Sequence, residues 1–144
     1  LSVLFIGKNQ DDKYFENLKY YCDNANISYS ILENVNNPQA YLHNAKVGLH
    51  ISKSETGPLV LLEYMCKSLP FIAYDTGEIA QDIKITYPSL IKDNFDLTTW
   101  YDTYNSLRLD NSIGEELKSF FDKNYGKEQY FNNLMNIYNQ IYKQ

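Results

Sequence analysis

Short apolar runs alternate with amphipathic stretches over the first 91 residues, and only amphipathic stretches follow. Residues 1–6 are nearly all apolar and are closed by Gly7, a pattern that predicts a strand buried on both faces. Asp11 and Asp12 open a helix whose inner stripe reads Tyr14, Leu18, Tyr21, Cys22 and Ala25. Residues 27–32 predict a second strand, residues 34–38 a polar loop and residues 38–45 a short helix. A third strand is expected over 47–51 and a fourth over 71–73, after which Asp75-Thr76-Gly77 turns into a short helix ending near Asp82. Residues 85–91 predict a last, irregular strand broken by Pro88. Beyond residue 91 the pattern is helical. Asp96 caps one helix with Leu97, Trp100, Tyr101, Tyr104 and Leu107 inward, residues 113–123 form another, and residues 127–143 a third. That third helix gathers Tyr130, Leu134, Ile137, Tyr138 and Ile141 on one face.

Strands alternating with helices imply an α/β fold, a doubly wound parallel sheet of Rossmann-like type followed by C-terminal helices. A chain of 144 residues suits one domain, with 1–91 alternating and 92–144 helical. In such sheets ligands bind at the carboxyl ends of the strands. The loops there are 7–10, 33–38, 52–57 and 74–77.

The stretch from Ser52 to Pro70 concentrates the chemistry. Gly57-Pro58 reads as a helix start, because proline in the first helical position loses only an amide that lacks a partner anyway. The helix is expected to run to about Ser68, where Pro70 prevents continuation. Leu59-Val60-Leu61-Leu62 is apolar all round and predicts burial. Glu63 follows inside that apolar body, where a carboxylate is costly unless something binds it. Leu59 and Val60 carry free first-turn amides, a ready site for an anion. Glu63 is five residues past Pro58, about 7.5 Å along the axis. One ligand could therefore place a phosphate on the amides and a vicinal diol, such as a ribose, on the Glu63 carboxylate. Glu55, in the loop before the helix, would face whatever hangs beyond the phosphate. Two plainer readings stay open: Glu63 can pair with Lys67 four residues on, and Glu55 can be a solvated loop acid.

Glu55-x7-Glu63, then Tyr64-Met65, then Leu69-Pro70-Phe71-Ile72-Ala73-Tyr74-Asp75-Thr76-Gly77, resembles the donor-binding core of retaining glycosyltransferases of the GT-B fold, the group 1 or family 4-like type. The family pattern reads roughly P-S-x-x-E-G-F-G-L-x-x-x-E-A-M-A-x-G-x-P-V-I-A-x-x-x-G-G. The resemblance is strongest from Ser52 to Gly77 and weaker over the rest. It implies one half of a two-domain enzyme that moves a sugar from a nucleotide-diphosphate sugar to a sugar or lipid-linked acceptor held by a missing N-terminal domain. It implies Glu55 as the catalytic residue, set against the donor sugar to stabilise charge as the glycosidic bond opens, and Glu63 as the holder of the ribose hydroxyls. Thr56, Gly57, Leu59, Val60 and Gly77 would line the donor, and Asn34 and Val35 would meet the base. The family's basic Arg and Lys pair for the diphosphate has no counterpart in the chain, and Lys8 only half matches a neighbouring turn. Pro58 replaces the second glycine of G-F-G and removes an amide. Glu78 takes the second place of the G-G turn, and Gln81 stands where an acid is usual.

Composition narrows the field. Net charge is −5 with no basic run, which disfavours nucleic acid as a partner. No apolar run approaches the ~18 residues of a membrane span. Cys22 and Cys66 read as reduced core thiols on helices, in keeping with a cytoplasmic place, with the full-length protein peripheral to the inner face of the membrane. They share no metal-ligand spacing with His43 or His50, so neither a metal nor a cofactor beyond the substrate is expected. A rival expectation is a non-catalytic α/β interaction or regulatory domain that keeps the fold without the chemistry. Pro58, Glu78 and the absent basic pair favour it.

Overall fold

The structure is a computed structural model and describes residues 1–110 and 112–142. It divides into two compact units, Leu1–Ala40 and Tyr41–Gln144. In the first, β1 (Ser2–Gly7) and β2 (Ser28–Glu33) pair in parallel, with Ser2 opposite Ser28 and Gly7 opposite Glu33. Helix α1 (Asp12–Asn24) connects them, and the Asp11 carboxylate accepts the Tyr14 amide at its start, a side-chain cap. The apolar stripe of α1 differs from expectation. Phe15, Leu18 and Cys22 turn inward, whereas Tyr14 and Tyr21 are 64% and 69% exposed. A tyrosine can leave its hydroxyl in water, so Phe15 takes the inner place. Strand β1 alternates between exposed and half-buried residues and is not buried on both faces.

A 3₁₀ stretch, Pro38–Asn44, spans the division between the units. The second unit holds a parallel sheet in the order β3 (Gly48–His50), β4 (Phe71–Tyr74), β5 (Ile91–Lys92). Helix α2 (Leu59–Cys66) joins β3 to β4, and α3 (Gly77–Thr86) leads from β4 towards β5. Then come α4 (Leu97–Leu107), α5 (Ile113–Asn124) and α6 (Lys127–Tyr142). The α/β class, the parallel pairing and the helical C-terminal part agree with a Rossmann-like half of a GT-B fold. The expected end of the last helix, at Lys143, lies outside the described residues.

Strand β4 is fully buried over Phe71, Ile72 and Ala73, and the core gathers on it from Leu61, Met65, Ala80, Ile83, Leu90, Ile91, Leu107 and Leu117. The approach of α5 to this core is close enough to require glycine. A Cβ on Gly114 would stand 2.2 Å from the Ser68 carbonyl oxygen, and Ser68 itself holds a φ of 52° where α2 stops. Gly114→Ala is expected to cost about 1–3 kcal/mol through forced backbone movement, read as a lowered denaturant midpoint.

Several boundaries differ from the sequence reading. Pro58 precedes the first helical residue as N-cap, with its carbonyl accepting the Leu61 amide at 3.0 Å. Helix α2 ends at Cys66 instead of Ser68, because Ser68 turns left-handed and the Leu69 amide returns to the Tyr64 carbonyl. Its burial is one-sided: Leu61 and Met65 are buried, but Leu59 is 66% exposed, and Cys66 is exposed instead of lying in the core. The irregular strand expected over 85–91 is instead the end of α3, a 3₁₀ turn at Pro88–Leu90 and a two-residue strand. In α4, Trp100, Tyr104 and Leu107 pack inward, whereas Leu97 and Tyr101 are exposed. The α6 face of Tyr130, Leu134, Ile137, Tyr138 and Ile141 is exposed along its length.

Candidate donor site at the carboxyl edge of the second sheet

Glu55, Thr56, Gly57 and Pro58 follow β3, and Asp75, Thr76 and Gly77 follow β4. These two loops are clasped together. The Glu55 amide donates to the Thr76 hydroxyl oxygen at 3.0 Å, and the Glu78 amide donates to the Thr56 carbonyl at 3.1 Å. Gly77 has a φ of +76°, and a Cβ there would lie 2.8 Å from Pro58 Cδ and 2.8 Å from the Thr56 oxygen. Only glycine allows both the left-handed turn and that approach. Gly57 is less constrained, with Ile79 Cδ1 at 3.7 Å from a notional Cβ.

The clasp sets the entrance of α2. Leu59 and Val60 are its first two residues, so their amides have no acceptor within the helix. Glu63 lies one turn further along and is half-buried. It is next to Tyr64, whose phenol is pushed above its ordinary pKa by burial and then by the Glu63 charge. Tyr64 packs from α2 against β3 and β4. Its ring fills the space that a Cβ on Gly48 would need, lies 5.8 Å from Phe71, and its hydroxyl donates to the Leu49 carbonyl at 3.4 Å.

The structure thus brings Glu55, Thr56, Gly57 and Gly77 into one cluster at the mouth of α2, with Leu59, Val60 and Glu63 on the helix itself. Asn34 and Val35 belong to the first unit. Asn34 has a φ of 54° at the end of β2, and the Glu33 carboxylate beside it accepts the Asn9 amide at 2.9 Å. A cavity of about 140 Å³, lined among others by Lys46, Pro70 and Arg108, lies at the amino ends of β3 and β4 and includes none of the cluster. Parallel sheets bind ligands at the carboxyl edge, so the cluster is the better candidate.

Three features at this edge were not singled out from the sequence. Thr76 is buried (7% exposed) and spends its hydroxyl on Glu55 rather than on capping α3; a threonine directly before a helix-opening glycine was the available signal. Lys84 reaches from α3 to both Asp75 and Asp93, pairs too distant in sequence to read. Phe95 stacks between its neighbours Tyr74, at 4.7 Å, and Trp100, at 5.6 Å, with the Lys53 ammonium 5.1 Å from its centroid.

His50 ends β3 and is half-buried, with Nε2 enclosed and no partner among the described residues. Burial holds its pKa below the ordinary value, and the Glu55 charge works in the opposite direction. The depressed value means that the fold favours the neutral ring. Its contribution to stability is present above the unfolded value of about 6.5 and is lost as pH falls through the lower folded value. Melting curves between pH 7.5 and 5 are therefore expected to fall less steeply for His50→Gln than for the wild-type chain.

The sequence profile described as Glycosyl transferases group 1 matches residues 1–120, most of the chain. The chain belongs to this family of glycosyltransferases. No curated protein matches the chain at a significant level. Family membership agrees with the α/β half-fold. No helix among the described residues is long and apolar enough to cross a membrane, and no group of three or more His, Cys, Asp or Glu among them could hold a metal ion.

Proposed function

We propose that the chain is the donor-binding domain of a retaining glycosyltransferase that takes a sugar from a nucleotide-diphosphate sugar and passes it to a sugar or lipid-linked acceptor. The observation that carries this reading is the clasp of the Glu55 loop onto Thr76 and Gly77 at the open start of α2, in a chain of this family. The diphosphate lies on the Leu59 and Val60 amides, where the helix dipole favours negative charge. Glu63 accepts hydrogen bonds from the ribose hydroxyls. The Glu55 carboxylate faces the donor sugar and stabilises the positive charge that develops as the glycosidic bond opens. The donor phosphate itself is held so that the acceptor hydroxyl can approach the same face, a contribution of position more than of acid–base chemistry. A further, N-terminal domain holds the acceptor in the complete enzyme, which works in polysaccharide biosynthesis in the cytoplasm, peripheral to the inner face of the membrane.

Titration calorimetry tests this directly. UDP-glucose and GDP-mannose serve as probes, and one of them is expected to bind with a Kd below about 1 mM, or about −4 kcal/mol. Absence of heat with both would overturn the donor reading and leave the family fold as an interaction module.

A further inference from the structure

The geometry points to Lys84 as a positioning residue for Glu55, acting through Asp75 and Thr76. This rests on the reading of Glu55 as the acid beside the donor sugar. Lys84 lies near the end of α3, away from the α2 mouth in sequence and in role. Its ammonium bridges two loops: it donates to Asp75 Oδ2 at 2.8 Å, in the loop after β4, and to Asp93 Oδ1, in the loop after β5. The Asp75 amide also donates to the Lys92 carbonyl at 2.9 Å, so the β4 loop is fixed to β5 by main chain and by side chain. The next residue is Thr76, whose hydroxyl receives the Glu55 amide at 3.0 Å. The residue after Thr76 is Gly77, packed on Pro58 and Thr56. An unbroken series of contacts therefore runs from Lys84 through Asp75 and Thr76 to the main chain of Glu55.

An ordinary exposed lysine–carboxylate pair does little for a fold. This one differs in three respects. One lysine serves two carboxylates from separate loops. Asp75 is largely covered, with its side chain 24% exposed. Its second oxygen, Oδ1, is enclosed with no hydrogen-bond partner among the described residues. Removing the ammonium would leave a covered carboxylate without its counter-charge, and such a group moves towards water. Asp75 cannot move alone, since Thr76 and Gly77 follow it directly. The element displaced would be the turn that holds Glu55, and not the apolar centre of β4. The Asp75 and Asp93 hydrogen bonds also raise the Lys84 pKa, so the clamp stays charged at neutral pH.

Amide hydrogen exchange on the chain without ligand reads this positioning independently of any donor. In Thr76→Val the Glu55 amide loses its acceptor and is expected to exchange about three- to tenfold faster, the equivalent of one hydrogen bond. Thr76→Ser restores the wild-type rate. Lys84→Met is expected to accelerate the same amide severalfold while the buried Ile72 and Ala73 amides keep their rates. Lys84→Arg, whose fork can span both carboxylates, reverses the change. An unchanged Glu55 rate in Lys84→Met, alongside a faster one in Thr76→Val, would overturn the role of Lys84. Equal acceleration of Glu55, Ile72 and Ala73 in Lys84→Met would also overturn it, because that is general loosening. Nucleotide-sugar titration of the wild-type chain reports separately on the donor reading, so the two failures can be told apart.

Discussion

Glu63→Gln is expected to weaken nucleotide-sugar binding by about 10- to 100-fold, the value of charge-assisted hydrogen bonds of roughly 1.5–3 kcal/mol. Glutamine keeps the length and shape of the side chain. It replaces two equivalent anionic acceptors by one neutral acceptor and a donor, so a vicinal diol can no longer place one proton on each of two charged oxygens. The plainer role of Glu63, an ion pair with Lys67 four residues on, would contribute only about 0.3–0.5 kcal/mol to helix stability. The two roles therefore separate cleanly. Calorimetric affinity should fall strongly while the melting temperature hardly moves. A variant that binds UDP-glucose or GDP-mannose as tightly as the wild-type chain would contradict the ribose role. Glu55→Gln should behave differently: its carboxylate acts on charge that develops during the reaction, so ground-state affinity should change less than turnover.

The second large effect is expected at Gly77. Gly77→Val should destabilise the second unit by about 1–3 kcal/mol from the left-handed backbone alone. It should also open the Glu55 loop, since the new Cβ would need the space of Pro58 Cδ and the Thr56 carbonyl, each 2.8 Å away. Loss of donor binding should exceed what the change in stability explains, because the displaced groups are those that frame the mouth of α2. Gly57→Ala is the matched control. Its Cβ would meet only Ile79 at 3.7 Å, an ordinary contact, and the melting temperature should stay near wild type. If Gly57→Ala and Gly77→Val were equally mild, the clasp would not be what shapes the site.

Local signals in the sequence carried the architecture well. Asp11 and Asp96 cap the helices they were expected to cap, with their carboxylates accepting the Tyr14 and Thr99 amides. The apolar run at Phe71–Ala73 is the buried central strand, and Gly57-Pro58 marks the start of α2 to within one residue. What escaped was decided by tertiary contact. Ile83 and Ile85 look alike as strand formers, yet Ile83 is buried under α3 while Ile85 is 84% exposed on the same helix. Periodicity over so few residues cannot separate these cases. The end of α2 depends on Ser68 turning left-handed to meet Gly114, a contact across 46 positions that no local pattern encodes.

The candidate site shows the same division. That Glu55 precedes α2, that Glu63 lies on it and that Gly77 turns after β4 was legible because these spacings are local. The groups that fasten the Glu55 loop to that turn were not. Thr76, Lys84 and Asp93 act through hydrogen bonds and ion pairs that close only when β4 and β5 lie side by side. Leu59, the first residue of α2, is likewise 66% exposed although it opens an apolar run.

If a sugar nucleotide lies across the mouth of α2, amide shift mapping of the ¹⁵N-labelled chain during titration with UDP-glucose, and then with GDP-mannose, should show saturable shifts concentrated at Glu55, Thr56, Leu59, Val60, Glu63 and Gly77. Shifts confined to the cavity around Lys46 and Arg108, or no shifts with either donor, would refute that placement.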